Sequence, residues 1–264
     1  MRTWLILALF TCLSYGQKSA PPGIERVFSL LHVESRQDFQ QILNVIKVAL
    51  QPGRGVVDTD PQLSDEIAHK TLTVNASVDQ IGLIEWLLGE LDQAPAQQTP
   101  DSILHEYRPP GSNEVVRVFY LRAASPQNIQ KLINTVRALA DLARLMPEFE
   151  RQAIVARGNS DQIGLAEWLV NNMDTLPAPQ TPGSAVLEYR LSGAPADLAR
   201  VFYLANIRNA QDLQKIVIAI RENTNIQRLM PVDLRMAIAL RDTDAQVVAA
   251  QRLVAELDTT ASAR

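Results

Sequence analysis

One phrase occurs three times along the chain, as Arg26-Val27-Phe28, Arg117-Val118-Phe119-Tyr120-Leu121 and Arg200-Val201-Phe202-Tyr203-Leu204. The repeat length of roughly 80 residues is far longer than that of a solenoid, so each copy holds enough apolar residues for a core of its own. Behind each phrase apolar residues recur at helical spacing: Phe39, Ile42, Leu43, Ile46; then Ile129, Leu132, Ile133, Val136; then Leu213, Ile216, Val217, Ile220. Ser35, Ser125 and Asn209 stand just ahead of these runs, where their side-chain oxygens can accept hydrogen bonds from the free amides of a helix start. Pro126 suits a first helical position.

A second helix closes each unit, anchored by Ile81, Ile84, Leu88 and Leu91, by Ile163, Ala166, Val170 and Met173, and by Val247, Ala250, Val254 and Leu257. Ser77 with Gln80, Asn159 with Gln162 and Thr243 with Gln246 have the spacing of a capping box. Asp92, Asp174 and Asp258 end the three helices; a carboxylate gains nothing from the helix dipole there, so the recurrence has no energetic reason visible in the sequence. Between the helices lie short runs of strand character: Val56-Val57 and Thr71 to Val74, Arg144 to Met146 and Ala153 to Ala156, Arg228 to Met230 and Ala237 to Leu240. Ile103 to Arg108 and Val186 to Arg190 predict an extra strand that extends the sheet of the second and third units; the first lacks it.

The expected fold is therefore α+β: three tandem β-α-β-β-α modules, each a small sheet with two helices on one face. The boundaries are modules at 24–93, 103–175 and 186–258, joined by Pro-rich linkers at 94–102 and 176–185. In the first strand Phe119 and Leu121 alternate with Val118 and Tyr120, so one set faces the helices and the other faces away, which assigns Phe28, Phe119 and Phe202 to the cores.

Four aromatic residues are the candidate interface. Trp86 and Trp168 lie on nearly the opposite side of the second helix from its core stripe, and Arg252 replaces them in the third module. Each ring either packs beneath a linker, a neighbouring module or the extra strand, or faces a partner as a hot spot. Tyr120 and Tyr203 stand on the outward side of their strands, where Ser29 breaks the pattern in the first module. Arg26, Arg117 and Arg200 are read as pairing with nearby acids, with Glu25 and Glu114 as candidates.

The Val-Phe-Tyr-Leu strand, a helix, a strand pair and a helix ending in Leu91-Asp92, Met173-Asp174 or Leu257-Asp258 together resemble the periplasmic N-domains of bacterial secretins. That resemblance implies domains that stack into rings below an outer-membrane barrel and contact secretion components. It covers roughly residues 24 to 258 and does not extend to the pore domain.

The remaining residues narrow the chemistry. No Gly-x-Ser-x-Gly, phosphate loop, Gly-x-Gly-x-x-Gly or His-Glu-x-x-His occurs, so no catalytic residue, cofactor or small-molecule substrate is expected. His32, His69 and His105 share no metal-ligand spacing, and His69, aligned with Arg151 and Arg235, reads as part of a solvated turn. A formal net charge of -4 and the lack of a basic Gly-x-x-Gly loop speak against nucleic acid, including a KH-type reading. Arg2 and the apolar run Trp4 to Leu13, with small residues at Ser14 and Gly16, read as a secretory signal spanning 1–16, cleaved or kept as an anchor. Cys12, the one cysteine, falls within it. The expectation is an exported periplasmic protein, free or associated with the outer membrane, that works by protein-protein interaction. It is either a scaffold or secretion accessory that self-associates or meets an outer-membrane secretin, or a monomeric peptide- or protein-binding adaptor that forms no ring.

Overall fold

The computed structural model describes residues 23–51, 61–93, 105–122, 125–174, 187–192 and 197–261. The predicted signal, both linkers and the Val56-Val57 strand lie outside these residues. The first module runs β1 (Ile24–Ser29), α1 (Arg36–Leu50), β2 (Gln62–Glu66), β3 (Thr71–Ala76) and α2 (Val78–Leu91). The second runs β4 (Glu106–Tyr107), β5 (Glu114–Tyr120), α3 (Pro126–Ala140), β6 (Arg144–Glu148), β7 (Ala153–Asn159) and α4 (Ser160–Met173). The third runs β8 (Leu187–Arg190), β9 (Asp197–Tyr203), α5 (Ala210–Asn223), β10 (Arg228–Val232), β11 (Ala237–Thr243) and α6 (Asp244–Ala261).

The helix starts form where the caps predict them. Ser35, Ser125 and Asn209 accept from the backbone N–H three residues on, and the capping boxes at Ser77–Gln80 and Asn159–Gln162 close in both directions. At the start of α6 the Thr243 N–H instead donates to Asp242 Oδ1 at 2.8 Å. All pairing is antiparallel. The strand orders are β1-β3-β2, β4-β5-β7-β6 and β8-β9-β11-β10, so β4 and β8 are the expected extra strands, laid on the outer edges of β5 and β9. The strand beside β3 is Gln62–Glu66, a run for which the sequence predicts no element. Only Leu63 points its apolar side chain inward there, so it carries no alternation strong enough to read.

The recurrence of the helix-ending aspartates has a geometric cause. Asp92 accepts from the N–H groups of Leu31 and His32, both at 2.7 Å, Asp174 from Arg122 N–H at 2.6 Å, and Asp258 from Ala205 and Asn206 N–H, both at 2.9 Å. Each carboxylate ties the end of the second helix to the turn that follows the first strand. Charge-assisted bonds of this kind are stronger than neutral ones, which outweighs the unfavourable helix-end dipole.

The modules stack. Phe119, Leu121, Ile129, Ile133 and Ile154 form the interior of the second module on the helix side of its sheet. The other face of that sheet, with Val116, Val118, Tyr120, Ala153 and Val155, joins the same apolar cluster as Ile42, Val45 and Ile46 of α1 and Leu83 and Leu87 of α2. Ala199, Val201, Val232, Ala237 and Ala239 of the third sheet join the second module's core in the same way. A helix pressed between two sheets needs apolar residues on two sides. That is why α2 buries Leu83 and Leu87 in addition to Ile84, Leu88 and Leu91.

Candidate functional site

The residues that recur between modules converge on the junctions, and each junction is built from the same parts. A sheet arrives with hydrogen-bond donors on its outward face, and the two helices of the preceding module offer the unpaired carbonyls of their last turns. Tyr120 donates to Glu90 C=O at 2.8 Å and Tyr203 to Asn172 C=O at 2.9 Å. Arg151 Nε donates to Leu91 C=O, while Arg235 Nη2 reaches Met173 C=O at 3.1 Å. Arg157 reaches Ala49 C=O at 2.5 Å, and Arg241 reaches Leu139 C=O at 2.7 Å. A cation at the negative end of a helix is favoured by the dipole as well as by the hydrogen bond.

The first junction also holds a buried charged cluster. Arg151 pairs with Asp38 of α1 at 2.5 Å and with Glu148 at 3.0 Å, and the three residues are 8%, 3% and 0% exposed. Burial drives the Glu148 carboxyl above the usual carboxylate range, against the pull of Arg151, and the nearby Asp38 adds to the rise. At the edge of the same sheet Glu114 binds both Arg144 and Arg157. Burial lifts its pKa, but the two guanidinium groups outweigh burial and hold it below the usual range. Desolvation, with Glu90 beside it, pushes the Tyr120 phenol well above its ordinary value, so this hydroxyl remains a donor.

The turn read as solvated is solvated in the first module alone. His69 lies in an exposed 3-10 turn and binds Glu66 at 2.7 Å. Its counterparts Arg151 and Arg235 are docking groups. They are followed by Gln152 and Met236, whose positive φ turns the chain back into the next strand.

Trp86 packs on Tyr107 of β4, with ring centroids 5.6 Å apart, and Trp168 on Tyr189 of β8 at 5.9 Å. Both pairs cross a junction, from the second helix of one module to the extra strand of the next. A glycine one turn earlier makes room for each tyrosine. A Cβ on Gly82 would stand 2.9 Å from the Tyr107 hydroxyl oxygen, and one on Gly164 would stand 2.6 Å from that of Tyr189. In α6 the corresponding positions hold Val248, 41% exposed, and the exposed Arg252. The spacing Gly-x-x-x-Trp, present twice and absent from the third copy, was the sequence signal for this cradle.

The strand arginines pair with acids, but not those expected. Arg117 binds Glu106 of β4 and Glu167 of α4, Arg200 binds Glu188 of β8 and Gln251 of α6, and Arg26 binds Glu85 of α2. Glu25 and Glu114 point to the opposite face of their sheets, because neighbours in a strand alternate sides.

Among the described residues no three His, Cys, Asp or Glu side chains gather as a metal site, and no helix is long and apolar enough to cross a membrane. The class defined by this architecture is an α+β protein of stacked β-α-β-β-α modules. No protein-family model and no curated protein matches the chain. Among solved structures it is similar to Aeromonas hydrophila ExeD at 13% identity and TM-score 0.21, over 89% of this chain and 41% of that one. It is also similar to the structure of XcpQN012 at 11% identity and TM-score 0.25, over 89% of this chain and all of the other. The chain thus spans about two fifths of the length of ExeD, and at these scores neither likeness carries an argument.

Proposed function

We propose that the chain is a non-enzymatic protein-protein interaction scaffold of the cell envelope, serving a secretion system as a structural or accessory component. One observation carries this reading. The arginine, tyrosine, tryptophan and aspartate residues that recur between modules are engaged in holding modules to one another or closing their own turns. Such a chain presents a fixed series of surfaces, and its work is to dock. The signal-like first segment supports an exported, periplasmic location, and the resemblance to secretin N-domains supports the secretion setting and an outer-membrane secretin as partner.

A specific observation favours the monomeric adaptor as the second reading. The outward face of the first sheet lacks the arginines and the tyrosine that build junctions, and α6 carries Val248 and Arg252 in place of the glycine and tryptophan that receive one, which disfavours end-to-end extension of one copy by another. Sedimentation of the purified chain over a wide concentration range, combined with crosslinking in intact envelopes, separates the two. The scaffold predicts large assemblies and a stoichiometric protein partner, and the adaptor predicts a monomer with a partner. A monomer that crosslinks to no protein contradicts both.

A further inference from the structure

The first module differs from the other two at one edge. β5 and β9 are flanked by β4 and β8, whereas among the described residues β1 pairs with β3 alone. In the filled sheets Val118 N–H donates to His105 C=O at 3.0 Å, and Glu106 and Glu188 hold Arg117 and Arg200, whose side chains are each 9% exposed. Arg26 occupies the same register, and its side chain is 52% exposed against a Glu85 that is itself 42% exposed. Ile24 is 44% exposed where Val115 and Leu198 are both 1%, and Val27, on the outward face that no described module covers, is 62% exposed. Among the described residues no strand of this chain lies on that edge. Glu106 and Glu188 precede their arginines by 11 and 12 residues, and the residues at those distances before Arg26 are Tyr15 and Ser14.

We infer that the free edge of β1 is a docking site for an extended strand of another protein, one that carries a glutamate flanked by apolar or aromatic residues, as Leu187-Glu188-Tyr189 does. The edge strand gains main-chain hydrogen bonds, the glutamate shields Arg26, and the flanking side chain covers Val27 as Leu187 sits opposite Val201. Charge selects this occupant over a second copy. Two β1 strands paired about a twofold axis would bring Arg26 toward its own image, and like charges facing across strands repel. This inference rests on the docking role proposed above and assigns it a place.

The probe is a synthetic peptide with the sequence of residues 184–191, Ser-Ala-Val-Leu-Glu-Tyr-Arg-Leu, titrated into the full chain and followed by amide NMR shifts. Saturable shifts confined to β1 are expected. Arg26→Glu is expected to weaken binding at least tenfold, and a peptide with lysine in place of its glutamate is expected to recover binding to that variant. Val27→Pro is expected to abolish binding. This substitution is tolerated on an edge strand because the lost N–H faces outward, as its counterpart in Val118 does. The inference is overturned by an absence of shifts, by binding indifferent to both substitutions, or by concentration-dependent self-association that Val27→Pro removes. If the chain captures its envelope partner undiminished with both substitutions in place, the docking role stands and this edge is excluded from it.

Discussion

The outward face of the first sheet and that of the second are the same surface in register but opposite in character. In the second, Val116, Val118, Tyr120, Ala153 and Val155 are buried against the helices of the preceding module, with Arg151 and Arg157 set to receive helix ends. In the first, the same positions hold Glu25, Val27, Ser29, Thr71 and Thr73, with His69 and Asn75 in place of the arginines, and Val27 is the one large apolar side chain. The fold of a module is thus independent of what its outer sheet face does. One set of alternate residues builds the module, and the other decides whether it stacks or ends. The polar outer face of the first sheet resembles that of a capping repeat. In α6, Val248 and Arg252 stand at the positions where Gly82 and Trp86 of α2 receive Tyr107.

The comparison breaks hardest at Arg151. Arg151→Ala leaves Asp38 and Glu148 buried without their cation, and breaking a buried pair costs about 3–5 kcal/mol. The same substitution at His69 is expected to stay within about 0.5 kcal/mol, because that side chain is exposed. Denaturant unfolding of both variants measures the contrast, and equal losses would show that the two turns are equivalent.

Converting the stacking face toward the capping face is expected to cost less. Val155→Thr copies Thr73 of the first sheet and places a hydroxyl in an apolar junction at roughly 1–3 kcal/mol. Val27→Thr is expected to be silent. Trp168→Ala should cost about 1–2 kcal/mol, the weight of a half-buried aromatic pair at a junction, and should free Tyr189 to quench by iodide. Arg252→Ala, at the matching position, should change nothing.

The smallest effect is a titration. Because the Glu114 pKa is held below its unfolded value, its contribution is fully present above the ordinary carboxylate range and is lost as pH falls through the lowered value. Glu114→Gln is therefore expected to lower stability at neutral pH and to flatten the acid limb of the stability profile. An acid limb identical in the two proteins would show that Arg144 and Arg157 do not hold this carboxylate.

The features legible in the sequence were local ones. Caps, helical spacing and strand alternation act within a few residues, so element order, the extra strands and the core phenylalanine positions could be read directly. What could not be read is relational. Arg151 looks like a turn residue until α1 and α2 of the preceding module are placed over it. Gly82 and Gly164 look like weak points in a helix until Tyr107 and Tyr189 arrive. Alternation alone puts Tyr120 and Tyr203 on the outward side of their strands, but the sequence does not say that the neighbouring module supplies the carbonyls they meet.

The central claim is that equivalent outward positions are open in the first sheet and sealed in the second. The one cysteine is Cys12, so in a Cys12→Ser background Val27→Cys and Val118→Cys each carry a single thiol. Their rates of reaction with a neutral alkylating reagent under native conditions compare the two faces directly. The stack predicts that Cys at 27 reacts like a free thiol and that Cys at 118 is slower by at least about a hundredfold, since reaction there must wait for the junction to open. Equal rates at the two positions would contradict it.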